Sequence, residues 1–141
     1  MAVCYHGIPE LLRELNESGR ALAVVTSETS ALANYALEMF GIRDYFDPLV
    51  TSDDVLKRKP DPEGIHLVLR NMRLGPNECM LIGDSTDITA GREAGLLTGA
   101  ATWGSETWGN AKSANPDYLF SAVEELSVFF SITQTASCGR R

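Results

Sequence analysis

Three short stretches carry side chains that could hold an anion or a cation. The first is Thr26-Ser27, directly after the apolar run 21–25 (ALAVV). A hydroxyl at a strand's end, beside the N–H groups that open a helix, can bind a phosphate oxygen, or it can simply cap the helix expected from Thr29. The second is Lys57-Arg58-Lys59-Pro60-Asp61-Pro62. A Lys before Pro has a restricted backbone, and the second Pro suits the first turn of a helix. An ammonium aimed in this way could neutralise a phosphoryl group; the plain alternative is a solvated basic turn. The third is Gly83-Asp84-Ser85-Thr86-Asp87-Ile88, after the apolar run 79–82 (CMLI). Two carboxylates at a helix start suit Mg²⁺, which takes one or two carboxylates and keeps several waters. Either could equally be an N-cap that favours the helix dipole.

These stretches need elements to position them. Ile8, Leu11, Leu12 and Leu15 recur at helical spacing, with Pro9 suited to a first turn and Gly19 to a stop, so residues 8–18 are expected to be helical. The runs 21–25 and 79–82 are short and nearly all apolar, as strands covered on both faces are. Further helices are expected over 29–40, 62–72, 85 to about 94 and 122 to about 130, and further strands over 49–51, 98–102 and 118–120. The alternation predicts an α/β fold, a Rossmann-like, mostly parallel sheet with helices on both faces. One domain is expected over 1–133, with a flexible tail over 134–141. Ligands of such sheets sit beyond the carboxyl ends of the strands, where all three stretches fall.

Composition narrows the function. The 141 residues include 12 basic and 19 acidic side chains, a formal charge of −7. Apolar residues make up 44% and charged residues 22%, ordinary globular usage that excludes general disorder. A pI near 4.7 without a basic run argues against nucleic acid as a partner. Cys4, Cys79 and Cys138 are odd in number and form no CxxC pair, so zinc and disulfides are not expected and the setting is read as cytoplasmic. Neither a secretory leader nor an apolar run long enough for a membrane span is present, so no membrane partner is expected. A Gly-Asp-Ser turn also occurs in a lipase family whose nucleophile is the Ser, but that chemistry needs a His base. The two histidines, His6 and His66, lie before the first helix and in mid-helix, which argues against it.

Taken in order, ALAVVTS, KPDPEG and CMLIGDSTDITAGREAG resemble the haloacid dehalogenase superfamily, most closely its phosphoglycolate-phosphatase-like branch. The lead-in GIPELLRELNESG is similar to the helix that enters that core after the cap domain. The resemblance implies the C-terminal part of a Mg²⁺-dependent phosphatase that works through an aspartyl-phosphate on a small phosphorylated metabolite. It implies that Thr26, with Ser27, hydrogen-bonds the phosphoryl group or inorganic phosphate, that Lys59 neutralises it, and that Asp84 and Asp87 bind Mg²⁺.

Two departures stand out. The superfamily's opening motif, Asp-x-Asp, is absent: the aspartates fall at 44, 47, 53, 54, 61, 84, 87 and 117, never two apart. The cap that follows the motif is missing as well. Without the attacking carboxylate, covalent catalysis has no first step; loss of its nucleophile costs a serine protease on the order of 10⁶ in turnover. The chain is therefore expected to be inactive alone, or else to be a non-catalytic phosphate-binding or protein-interaction module. Asp84 and Asp87 are also three apart where the superfamily has four. One residue fewer rotates a helical position by about 100°, which would turn Asp87 away from a metal on Asp84.

The missing motif belongs to a strand in the middle of the superfamily's sheet, between those matching ALAVV and CMLI. Its loss should leave unpaired backbone groups and apolar faces. Residues 1–5 (MAVCY) could replace it, the flanking strands could pair directly, or another chain could donate a strand; the first two are expected in a compact chain. The isolated protein is predicted to aggregate, to self-associate through the unpaired sheet, or to be marginally stable. Calorimetry and light scattering check this, and a sharp, reversible melt of a monomer is the contrary result.

Overall fold

Helix α1 (Ile8–Glu17) forms with Pro9 in its first turn and buries Leu11, Leu12 and Leu15 along one face. The structure, a computed structural model, describes residues 4–103 and 113–137. After α1 come β1 (Val24–Val25), α2 (Ser30–Met39), β2 (Leu49–Val50), α3 (Glu63–Met72), β3 (Met80–Gly83), α4 (Ser85–Glu93), β4 (Leu97–Ala101), β5 (Tyr118–Phe120) and α5 (Val123–Ser137). Short 3₁₀ turns at Arg43–Tyr45 and Pro76–Glu78 lead into β2 and β3. Met1–Val3, Trp108, Cys138 and the Arg140-Arg141 pair lie outside the described residues. Among the described residues, no helix is long and apolar enough to cross a membrane.

All pairings are parallel, as the strand–helix alternation requires. The strands nevertheless form two sheets, β1-β2 and β3-β4-β5. Direct pairing of the ALAVV and CMLI strands, one of the two expected outcomes, therefore does not occur. The other, a substitute strand over residues 1–5, is not seen where it can be judged: Cys4 and Tyr5 are outside any strand, and Met1–Val3 are not described. The break also explains why only Val24 and Val25 of the five-residue run count as strand. Among the described residues β1 has a ladder on one side alone, and its partner is two residues long.

The two sheets belong to one layer. On one face, Leu22 with Met80 and Ile82 packs against Leu11, Leu15, Phe120, Val123 and Leu126 of α1, β5 and α5. On the other, Val25 with Cys79 and Leu81 packs against Ile65 and Leu69 of α3 and Ala90 and Ala94 of α4. Odd and even residues of β3 thus point to opposite helical layers, the pleat of a strand covered on both sides. Burial does not follow this pattern fully. All four residues of β3 are only partly buried, whereas Thr98, Gly99 and Ala100 of β4 are buried.

Side chains pin the register of β4 and β5. The Thr98 N–H and hydroxyl both donate to Asp117 Oδ2, at 2.8 and 3.2 Å, and the Asp117 N–H donates to the Thr98 carbonyl at 3.1 Å. Trp103 packs against the Leu11–Phe120 cluster. Helix α5 continues past the expected end near residue 130 to Ser137, because no Gly or Pro stops it.

Helix α4 lies close on the sheet because of Gly91. A Cβ there would come within 2.8 Å of Thr98 Cγ2 and 2.9 Å of Leu81 Cδ2. Gly91→Ala is therefore predicted to destabilise the fold by about 1–3 kcal/mol through overpacking. Ile88, fully buried on the same helix, should cost about 2–5 kcal/mol on replacement by Ala. Urea unfolding of both variants checks these figures.

Candidate phosphate and cation site

At the carboxyl end of β1, the Thr26 N–H donates to the Val50 carbonyl at 2.9 Å and continues the ladder beyond the strand. Its hydroxyl accepts the Glu28 N–H at 3.1 Å and shapes the turn into α2. The capping expected of Thr26 or Ser27 falls instead to Thr29, whose hydroxyl accepts the Leu32 N–H, and to Asp53, which accepts the Ser30 N–H at 2.8 Å. Beside it, Asp54 accepts from the Thr51 N–H and hydroxyl, at 2.8 and 3.0 Å. Ser27 is exposed beside Thr26.

Lys59 arrives from the loop before α3, with a cis peptide bond to Pro60. Its side chain is only 11% exposed, and the ammonium donates to the Val25 carbonyl at 2.8 Å and pairs with Asp87 Oδ1. The basic turn is thus not uniformly solvated: Lys57 and Arg58 are exposed, while Lys59 turns inward. One cation joins the end of the first sheet to the helix that follows the second.

The Gly83-Asp84 turn is a reciprocal capping box. Asp84 Oδ1 accepts the Thr86 N–H at 3.1 Å, the Thr86 hydroxyl at 2.9 Å and the Asp87 N–H at 3.3 Å. Asp87 Oδ2 accepts the Asp84 N–H at 2.9 Å. The three-residue spacing that seemed to turn Asp87 away is the N-cap-to-N3 spacing of such a box, and it brings Asp87 in, over the strand end. A Cβ at Gly83 would collide with the Asp87 carboxylate, so only glycine allows this closure.

Burial pushes the Asp84 carboxyl up, but its hydrogen bonds from Thr86 and Asp87, with the Lys59 charge, outweigh burial and hold it below the usual carboxylate range. Burial pushes Asp87 above that range, and Lys59 offsets this only in part. Asp84 Oδ2 is the carboxylate oxygen of the turn without a hydrogen bond among the described residues. One carboxylate oxygen backed by water fits Mg²⁺; Asp87, with both oxygens committed, does not offer a second. Among the described residues, no group of three or more His, Cys, Asp or Glu gathers to hold a metal. Beside the turn lies an open cleft of about 280 Å³, lined by Pro60, Ser85, Thr86, Thr89, Ser113 and Ala114. Ser85, Thr86 and Thr89 bring its hydroxyls from the first turns of α4.

Thr26, Lys59, Asp84 and Asp87 therefore meet at one end of the layer, and the haloacid dehalogenase-like hydrolase model matches residues 1–101. The chain belongs to the haloacid dehalogenase-like hydrolases. It is 34% identical over 123 residues to the pyrophosphatase PpaX of Bacillus velezensis, which covers 86% of this chain and 57% of that protein. A solved structure from Haemophilus somnus, described as a predicted phosphoglycolate phosphatase, superposes with a TM-score of 0.82 at 26% identity, covering 89% of this chain and 56% of that one. A HAD phosphatase from Thermococcus onnurineus gives 0.78 at 26%, covering 89% and 57%. Within the superfamily the likeness is to the phosphoglycolate-phosphatase-like branch. This haloacid dehalogenase-like chain spans a little over half the length of these relatives.

What reasoning from sequence missed is the Lys59–Asp87 pair and the second role of the Asp pair as a box. The signal was present: Asp-x-x-Asp at a helix start is the capping-box spacing with Asp at its third helical position. Asp84→Ala should cost about 0.5–2 kcal/mol by loss of the cap, whereas Asp84→Asn should keep most of it. Lys59→Met leaves Asp87 partly buried without a counter-ion and should cost about 1–3 kcal/mol. In a Lys59→Met/Asp87→Leu cycle the losses should be markedly less than additive. Chemical denaturation of the four proteins checks this.

Proposed function

We propose that this chain is the phosphate- and cation-holding part of a phosphate-monoester phosphatase of the aspartyl-phosphate type, and that it turns nothing over by itself. The observation that carries the reading is the inward Lys59 ammonium, fixed between the Val25 carbonyl and the Asp87 carboxylate beside Thr26 and Asp84. In this reading Lys59 draws a phosphoryl group to the strand end, and Thr26 and Ser27 donate to its oxygens. Asp84 would hold Mg²⁺, which supplies charge neutralisation at those oxygens. The 141 residues contain no Asp-x-Asp to attack phosphorus, so binding has no chemical step to serve. The names of the relatives, pyrophosphatase and predicted phosphoglycolate phosphatase, support a ligand class of small phosphorylated metabolites or inorganic phosphate. A cytoplasmic setting goes with this reading, since Cys4 and Cys79 are free thiols.

A second reading is a non-catalytic module that keeps the fold for phosphate or partner binding. The commitment of both Asp87 oxygens favours it, because the pair already neutralises Lys59 from within the chain. The two readings share inactivity and differ in phosphate binding that Mg²⁺ strengthens.

An aryl-phosphate assay with Mg²⁺ is predicted to give no turnover above buffer. Isothermal titration should show millimolar phosphate binding that Mg²⁺ tightens and that Lys59→Ala weakens about tenfold or more, the loss of one charge-assisted contact of about 1.5–3 kcal/mol. Robust turnover abolished by Asp84→Ala would overturn the claim that the attacking group is lacking. Phosphate binding indifferent to Mg²⁺ would favour the second reading.

A further inference from the structure

Lys59 reaches its two partners from a stretch that packing does not hold. Lys57, Arg58 and Pro60 are exposed, and Leu56 is 97% exposed despite its apolar side chain. Hydrogen bonds to Glu63, the first residue of α3, hold it instead. Glu63 Oε2 accepts the Leu56 N–H at 2.8 Å and Oε1 accepts the Lys57 N–H at 3.2 Å. One carboxylate thus takes two successive backbone donors just before Lys59. Beyond Lys59, the Asp61 N–H donates to the Arg58 carbonyl at 3.0 Å, and Asp61 Oδ1 accepts the Glu63 N–H at 3.0 Å. The loop is therefore tied to the start of α3 on both sides of the lysine. That helix start is in turn seated on the residue that receives the ammonium. A Cβ on Gly64 would come within 2.9 Å of Val25 Cγ1, and the Val25 carbonyl accepts from Lys59. These contacts close a ring, from Glu63 through the 56–57 backbone to Lys59, across to Val25 and back over Gly64.

We propose that Glu63 is the positioning residue for Lys59. Its hold on the Leu56 and Lys57 N–H groups fixes the point from which the ammonium spans to Val25 and Asp87. An acid in the first turn of a helix also favours the dipole, but that effect needs no particular partner for either oxygen. Here both oxygens are taken by N–H groups outside the helix, six and seven residues back. Bonds of this kind are charge-assisted, the stronger class of hydrogen bond. A lysine side chain is long and flexible, so a fixed ammonium needs a fixed backbone beneath it. Glu63 acts through the main chain; among the described residues it makes no ion pair with Lys59. The inference rests on the proposed function for what Lys59 does to a ligand, and on geometry alone for where its ammonium is held.

The test labels the intact protein with acetic anhydride, without phosphate, and follows Lys59 and Lys57 by peptide mass spectrometry. Paired and mostly buried, Lys59 should react far more slowly than the exposed Lys57. Glu63→Ala should speed labelling of Lys59 about tenfold or more, through loss of the charge-assisted bonds, and leave Lys57 unchanged. Glu63→Gln keeps one acceptor oxygen and should give a smaller rise. Leu126→Ala, a truncation in the apolar cluster on the α1–α5 face, controls for general loosening and should leave the ratio of the two lysines unchanged. In the Glu63→Gln background, the departure from additivity in the Lys59→Met/Asp87→Leu cycle should also shrink. Lys59 labelling unmoved by either Glu63 substitution, an equal rise in Leu126→Ala, or an undiminished cycle overturns the proposal. Because no phosphate is present, failure of the phosphatase reading would leave these readouts as they stand.

Discussion

The Lys59 ammonium is the interaction on which the site depends. It holds the end of the two-stranded sheet through the Val25 carbonyl and the start of α4 through Asp87. With no ladder between β1 and β3, it is a polar link between the two halves of the layer at the end where a ligand would bind. Desolvating a cation and a carboxylate is costly, and the pair is maintained only because both ends find further partners: Val25 for Lys59, and the Asp84 N–H for Asp87. The same economy makes the site self-contained, since the charge that would draw an anion is already balanced.

Much of this was legible in the residues. The helical spacing of Ile8, Leu11, Leu12 and Leu15 and the apolar run CMLI were local signals, and local signals survive folding with little change. The strands of the ALAVV run and of residues 49–51 shrank to two residues each because strand length depends on a neighbour, which no local pattern reports. Thr26, Lys59 and Asp84 could be found because each follows an apolar run or precedes a proline. Their partners could not: Val25 lies 34 residues from Lys59, and a backbone carbonyl has no signature in sequence. The bond from Lys59 to Asp87 was not legible because the position of Asp87 is set by the cap, which helical rotation alone does not report.

The match to the haloacid dehalogenase-like hydrolases runs over residues 1–101, a span that includes the inward Lys59 and the Asp84–Asp87 turn. A layer covered on both faces, a fixed cation, and an Asp-bearing turn at the strand ends all stand in this chain. The break sits beside these groups, so the residues nearest the missing pairing are also those nearest the candidate chemistry. Backbone completion and site completion are thus one structural problem.

The Thr98–Asp117 clasp has an evolutionary corollary. One backbone-to-carboxylate bond, one hydroxyl-to-carboxylate bond and one backbone-to-carbonyl bond hold β4 and β5 in register. The alignment is thus set at these two residues themselves, and the cost of closing a longer or shorter connection between fixed ends grows only slowly with its length. Descendants of this fold can change the number of residues between β4 and β5 without rebuilding the scaffold that aligns the two strands.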